Sequence, residues 1–442
     1  MTTGTAVLPF GIMVPDTTAA VREVYDHPSA MEPLLPEKAV ALEELAFELT
    51  QHSAGLGSAI HPITRSAVVE VVRSMNSYYS NLIEGHNTHP LDIERALEKQ
   101  YSNDPSKRAL QLESKAHIEV QRLIEAKLEV HPETEICSAD FICWIHREFY
   151  HRLPEEFRVV ETRGGGRDIV HPGELRKCEV EVHRHIPPLS KNLPRFLLRF
   201  GEAYEPSRLP PMQRIIAAAA SHHRLAWIHP FLDGNGRVTR LFTHAYLIKT
   251  KIDGHGLWMV SRGFSKFKDG YMSALSLADS ARQGDFDGRG NLSTKELENF
   301  CSFFLLTAID QVKFMAGLLE LDSMHGRLVD FAAYWCRETR QSFLRSLSEP
   351  MGHLFSDLFL RGELTRGEAT AILSIPERTA REVLKRLLSE KLIASGGPRL
   401  PIRLGFPTFV TGFYFPKLYP DSVALGLKLP NADERAFTFG IE

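Results

Sequence analysis

Residues 229–240 read HPFLDGNGRVTR, with Arg237 and Arg240 one helical turn apart directly behind a Gly-Asn-Gly. The pattern predicts a loop that opens into a helix. A helix N-terminus already carries partial positive charge, and a cation there costs roughly 0.3–1 kcal/mol. Two arginines at that end therefore either turn to solvent or face a strong anion. Gly234 and Gly236 let the backbone approach a ligand and bare its N–H groups. Joined to a helix N-terminus, those groups make an anion site. Arg237 and Arg240 share a face and can grip adjacent phosphates bidentately. Asp233 would be repelled by phosphates unless Mg²⁺ bridges them. His229 can take a proton from an incoming hydroxyl, and Phe231 anchors the loop in the core. Any three of these residues read as a turn before a helix; the complete run describes a site that holds a polyphosphate and attacks it.

That run resembles the signature of the Fic family, HxFx(D/E)GNGRxxR, at every fixed position. The resemblance extends over roughly residues 110–320, with helix, hairpin, helix, loop and helix in the family's order. It implies transfer of AMP from ATP to a Ser, Thr or Tyr hydroxyl of a target protein. Carried over, His229 deprotonates the hydroxyl and Asp233 coordinates Mg²⁺ at the α- and β-phosphates. Asn235, the backbone of Gly234 and Gly236, and Arg237 hold those phosphates, and Arg240 binds the γ-phosphate. The kinase-type relatives carry Lys where Gly236 stands and lack the final Arg; this chain shows neither departure. The hairpin read at 176–187, from Cys178, Val180 and Val182 alternating with Glu179, Glu181 and His183, corresponds to the family's flap, which pairs with target backbone. Tyr271 lies where the family often places an aromatic near adenine.

Far upstream, SNLIEG occupies residues 80–85 at the end of a helical pattern over 65–84. Ser80 and Glu84, four apart, share a face. An anion at a helix C-terminus is disfavoured, so Glu84 calls for a cation elsewhere, and Arg240 calls for an anion whenever ATP is absent. Gly85 then caps the helix. The stretch resembles the Fic inhibitory motif (S/T)xxxE(G/N), whose glutamate pairs with the second motif arginine and displaces the γ-phosphate. Its place before the core marks the class with an N-terminal inhibitory helix in the same chain.

The remaining chain supplies context. Formal net charge is 52 − 55 = −3, which argues against a global nucleic-acid-binding field. Five cysteines form no CxxC pair or zinc spacing, as expected in a reducing cytoplasm. No signal peptide and no uninterrupted apolar membrane span is apparent, so a cytoplasmic protein without membrane contact is expected. The stretch DFDGRGNLSTKE at 285–296 mimics a calcium loop, but Arg289 stands at a ligand position; Ser293 and Glu296 read better as a capping box. The His183–His185 and His222–His223 groups read as surface or packing residues. Residues 357–406 read helix, helix, turn, helix and two strands, a winged helix-turn-helix. Nine Lys/Arg against five Glu between Arg361 and Arg403 give +4 locally, and Arg378, Arg381 and Lys385 on the second helix could reach DNA.

The expected fold is mainly α: a Fic-type helical core with a β-hairpin flap and a C-terminal α+β winged helix. The expected divisions are 1–109, an N-terminal helical region with the inhibitory helix; 110–320, the catalytic core; 325–410, the winged helix; and 411–442, a tail. The expected function is an autoinhibited, homodimeric protein adenylyltransferase using ATP and Mg²⁺. The alternatives are removal of AMP at the same site and a DNA-binding regulator.

Overall fold

The computed structural model describes residues 26–36, 40–58, 60–161, 166–182, 185–338, 342–420 and 423. The expected irregular arm lies outside them up to residue 25, as does most of the expected tail beyond residue 420. Twelve helices of seven or more residues form the larger part: α1 (Val40–Ser58), α2 (Pro62–Ile83), α3 (Pro90–Leu97), α4 (Pro105–Val130), α5 (Ala139–His151), α6 (Leu193–Tyr204), α7 (Pro211–Ile228), α8 (Asn235–Lys249), α9 (Val260–Lys266), α10 (Lys268–Ala278), α11 (Thr294–Leu319) and α12 (Leu321–Glu338). Start signals are local. Asp104 accepts from the Ser106 N–H at 2.9 Å ahead of Pro105, and Ser138 accepts from Phe141 at 3.2 Å. Both satisfy orphan N–H groups of a first turn. Ser293 likewise accepts from Glu296 at 3.1 Å. The reciprocal half of the expected capping box is missing, because the Glu296 carboxylate takes a bond from Asn299.

At the centre α8 is buried on nearly every side, from Asn235 to Leu247. It packs on α4, α5 and α7. The run Ala217–Ala220 in α7, fully buried, brings small side chains to a crowded position. Because α8 has no solvent face, its Arg237, Arg240, Thr243 and His244 must find partners inside the protein. That requirement shapes the site. Helix α11 is long and apolar enough to cross a membrane, which qualifies the expectation that no segment is. Leu297, Phe300, Phe304, Leu305 and Ala308 are instead buried in the core.

The C-terminal part carries α13 (Ser348–Arg361), α14 (Arg366–Leu373), α15 (Glu377–Ser389) and strands Ile393–Ser395 and Ile402–Leu404. The strands pair antiparallel, and Leu364 bridges to Ile402. This is the element order read from the sequence. A full capping box at Thr365 and Glu368, unread in the sequence, starts α14. The part lies along α2. The Thr64 hydroxyl donates to the Phe359 carbonyl at 2.7 Å, and the Tyr79 hydroxyl to the Leu418 carbonyl at 2.9 Å. The Tyr78 ring meets Tyr419 edge-on at 5.3 Å.

The segment read as a hairpin turns back on itself, with a further strand pair upstream of it. Strands pair at Val159–Glu161 and Arg167–Ile169; within 176–187 the described residues pair antiparallel at Val182 and His185. His183 falls outside the described residues. Side chains add to this pairing. The buried Arg176 guanidinium donates to the Cys178 and Pro188 carbonyls, and Glu179 accepts from the Ser190 amide at 3.0 Å and hydroxyl at 2.8 Å. These bonds tie the two arms together.

Candidate active site

Helix α7 ends at Ile228, and His229 caps it in the left-handed region, φ 48° and ψ 61°. A non-glycine residue there is strained unless its surroundings hold it. Arg176 does so: its Nε donates to the His229 carbonyl at 2.9 Å, and its amide to the Pro230 carbonyl at 3.0 Å. Phe231 is fully buried and stacks on the His146 ring at 3.9 Å, as the anchor reading requires. Asn235 closes the loop. Its Oδ1 accepts from the Phe231 amide at 2.9 Å and its Nδ2 donates to the Phe231 carbonyl at 2.8 Å. The amide expected to hold phosphate thus bonds the loop backbone through its oxygen and one of its two N–H groups.

Gly234 follows at φ 78° as the N-cap of α8, and no side chain caps the helix. The first-turn N–H groups are therefore available to an anion. A Cβ on Gly234 would stand 2.7 Å from the Tyr150 ring, so this position needs glycine for both space and conformation. A Cβ on Gly236 would run into the Glu84 carboxylate.

Two buried ionic groups flank this helix end. Asp233 accepts from the Tyr150 hydroxyl at 2.7 Å and from Arg237 at 3.2 Å. Burial alone would raise its carboxyl, but Arg237, Tyr150 and the Gly234 amide outweigh that and hold it below its ordinary range. Arg237 is paired on its other side with Glu113, whose second oxygen meets His86 at 2.7 Å. Burial likewise opposes the Glu113 charge, and Arg237 and His86 prevail, holding its pKa down. The Arg237 Nε is buried without a partner. Arg240, one turn on, donates from Nε to the Ser80 hydroxyl at 2.8 Å, and through Nη2 to the Ser80 carbonyl at 3.0 Å and Glu84 Oε1 at 2.5 Å. The anion that the two arginines call for is thus supplied by the protein itself. Glu84 is held there by α2, closed as read: Gly85 at φ 87°, with the His86 amide reaching back to the Asn81 carbonyl at 2.9 Å. His229 is uncharged at neutral pH. Desolvation, then Arg176 and His185, push its imidazole down to about 3.

Residues 136–247 match the sequence profile of the Fic/DOC family. The likeness to Fic/DOC proteins is carried by this segment, about a quarter of the chain. The protein adenylyltransferase Fic of Nematostella vectensis is 34% identical over 179 residues, covering 39% of this chain and 36% of that protein. The protein of the same name from Drosophila melanogaster is 35% identical over 82 residues, covering 19% and 17%. The matches span only 36% and 17% of the length of these two relatives. A Fic family protein from Desulfovibrio desulfuricans G20 aligns over 86% of this chain and 98% of its own, at TM-score 0.46 and 16% identity.

Around the 229–240 loop, Arg240 meets Ser80 and Glu84, and Asp233 meets Arg237. Tyr271 is 3% exposed, stacked on Phe264 at 4.3 Å, with its hydroxyl on His222 Nε2 at 2.8 Å. It is a buried residue, with one ring face against Phe264. His222 and His223, read as surface or packing groups, are both fully interior. Glu113, His86, Tyr150 and Arg176 were not read from the sequence. All four reach the loop from other segments; the signal available was a polar residue on an otherwise apolar helical face, as for Glu113 in α4 and Tyr150 in α5. The false calcium loop has its own explanation: Asp287 accepts from the Gln283 amide at 2.8 Å and the Lys295 amide at 3.0 Å, bracing a turn.

Proposed function

We propose that this chain is an autoinhibited protein adenylyltransferase, transferring AMP from ATP to a hydroxyl of a target protein. The observation that carries the reading is an uncapped helix N-terminus, flanked by two buried arginines, beside an uncharged histidine. Such a seat binds a polyphosphate through N–H groups and guanidinium, with a base at its edge. His229 takes the proton of the incoming hydroxyl, whose oxygen bonds to the α-phosphorus as pyrophosphate leaves. A histidine near 3 is a weak base in the empty site; the negative charge of bound phosphates raises it toward the useful range. Arg237 and the amides of Gly234 and Gly236 hold phosphate oxygens, and Asn235 keeps the loop in shape. Arg240 serves the γ-phosphate once Glu84 leaves it.

Asp233 offers one carboxylate. Mg²⁺ takes one or two carboxylates and completes its shell with phosphate oxygens and water, so a lone aspartate beside a phosphate seat fits the ion. No group of three or more His, Cys, Asp or Glu exists among the described residues to form an all-protein cage. Bound there, Mg²⁺ would neutralise phosphate charge.

The partners belong to the same proposal. Target backbone lies along 176–187, and a second copy forms a homodimer. Duplex DNA meets Arg378, Arg381 and Lys385, all exposed on α15. Arg381 and Lys385 line a groove there together with Arg366 and Glu377. A reducing compartment suits five cysteines that are all free. The deciding experiment incubates wild type, Glu84→Gln and His229→Ala with α-labelled ATP, Mg²⁺ and lysate. Label on protein in the first variant, absent in the second, supports the proposal; no label with Glu84→Gln overturns it.

A further inference from the structure

Both arms of the segment 176–188 meet the end of α7 through one guanidinium. The Arg176 side chain is wholly buried and donates in three directions. Its Nε goes to the His229 carbonyl at 2.9 Å. Its Nη1 goes to the Cys178 carbonyl at 3.0 Å and Glu179 Oε2 at 3.3 Å, and its Nη2 to the Pro188 carbonyl. The same segment supplies a second clasp, in which His185 Nε2 meets the Trp227 carbonyl at 2.7 Å. A carbonyl only accepts, so the His185 proton sits on Nε2. Trp227 lies in the last turn of α7, where carbonyls lack a partner further along the helix, and His229 is the cap that follows. A cation at this end also suits the helix dipole. Side chains 42 and 53 positions upstream thus close the helix that presents His229.

The same bonds fix the direction of the imidazole. The His229 amide donates to the Leu225 carbonyl at 3.2 Å, its carbonyl accepts from Arg176 Nε, and the next carbonyl, of Pro230, accepts from the Arg176 amide at 3.0 Å. With the peptide groups on both sides of His229 held, its φ and ψ are set, and with them the direction of its Cβ. We propose that Arg176 is a positioning residue for His229, pinning the base in its left-handed turn and joining that turn to both arms of the stretch along which target backbone docks. The guanidinium is planar and rigid, so a strand that draws the arms together bears on the group that aims the base.

The link to the target rests on the proposed adenylyltransferase reading; the hold on His229 does not, and two measurements separate them. The first follows the imidazole signals of the ¹⁵N-histidine-labelled full chain by NMR, with the His229 ring assigned by its loss in His229→Gln. Arg176→Lys keeps the charge and loses the fork, and should shift and broaden that ring. Glu179→Ala frees one arm from Arg176 and Ser190 while leaving the bond to His229 in place, and should shift it less. The rings of His117 and His222, buried elsewhere, should stay where they are in both. The second measures label transferred to lysate protein from α-labelled ATP at saturation, in the Glu84→Gln background. Arg176→Lys should lower it by about ten- to hundredfold, the effect of a reacting group misplaced by an ångström or less, while calorimetry finds ATP affinity within twofold of the parent. A mere brace for the fold would lower transfer and affinity together, and that outcome overturns the positioning role. So does an unmoved His229 ring, or unchanged transfer in a parent that labels protein. A shift in Arg176→Lys with none in Glu179→Ala overturns the link to the arms. If Arg176→Lys displaces the His117 and His222 signals and so fails to fold, Glu179→Ala decides, since it alters a carboxylate side chain that is 43% exposed. If the Glu84→Gln parent transfers no label, the adenylyltransferase reading fails, and the ring signals alone uphold or reject the hold on His229.

Discussion

Glu84→Gln isolates the charge of the inhibitory pair. The substitution keeps the length and the Oε1 acceptor of Glu84 and removes only the anion. A charge-assisted bond contributes about 1.5–3 kcal/mol net. The two partners differ in exposure: the Arg240 side chain is 2% exposed and that of Glu84 31%. Solvent around the carboxylate screens the pair, which selects the lower end, about 1.5 kcal/mol. Arg240 is not stranded by the change, because the Ser80 hydroxyl and carbonyl still accept from it, so no penalty for an orphaned cation is added. At 1.36 kcal/mol per power of ten, the occupancy of Arg240 by a competing anion should rise about tenfold. The assay is AMP incorporated per minute into target and into the enzyme, at ATP below saturation, for wild type, Glu84→Gln, and Glu84→Gln with Arg240→Ala. About tenfold more incorporation in the single variant, cancelled in the double, is expected. An unchanged rate would show that Glu84 does not hold Arg240 from ATP, and a gain that persists without Arg240 would show release by another route.

Three further outcomes are expected. His229→Ala should lower transfer by about 10²–10⁴-fold while calorimetry finds ATP affinity within a few-fold of the parent, because the imidazole serves the hydroxyl and not the phosphates. Asp233→Ala should weaken nucleotide binding in the presence of Mg²⁺ more than in its absence; equal losses would make it a brace for the loop through Tyr150 and Arg237. His146 is held at about 3 by burial, and its Nδ1 accepts from the Gly173 amide at 2.8 Å. The unfolded chain takes up its proton near pH 6.5 while the native chain refuses it until about 3, so stability falls as pH drops through that window, by about 1.4 kcal/mol per unit for this one group. Denaturant titrations of His146→Gln should show a slope shallower by that amount between pH 6 and 4.

The site was legible in the sequence where its chemistry is contiguous. His229, Asp233, Gly234, Gly236 and Arg237 lie within nine residues, and the helix periodicity before Gly85 located Glu84. The groups that tune these residues were not legible, because they are brought in by packing. Glu113 is 124 positions from Arg237, and nothing in the α4 pattern names its partner. Tyr271 was recognised as near the site, but its direction depends on Phe264 and His222. At 176–187 the strand alternation was real; Arg176 and Glu179, however, bond across the segment with their side chains, which no periodicity records. Asn235 shows the same limit at short range, since a side chain that bonds its own loop and one that bonds a ligand have the same spelling.

Gly236 has a consequence for how regulation can be lost. Alanine is favoured over glycine inside a helix by about 1 kcal/mol, so helix propensity at position 236 pulls toward a side chain. The first atom of that side chain would stand where the Glu84 carboxylate rests, so the carboxylate would have to shift away from its present seat beside Arg240. The proposed inhibition would therefore depend on a residue that makes no bond to Glu84 or Arg240. A variant that is better folded at this helix, with Ser80, Glu84 and Arg240 all unaltered, would be an enzyme without its restraint.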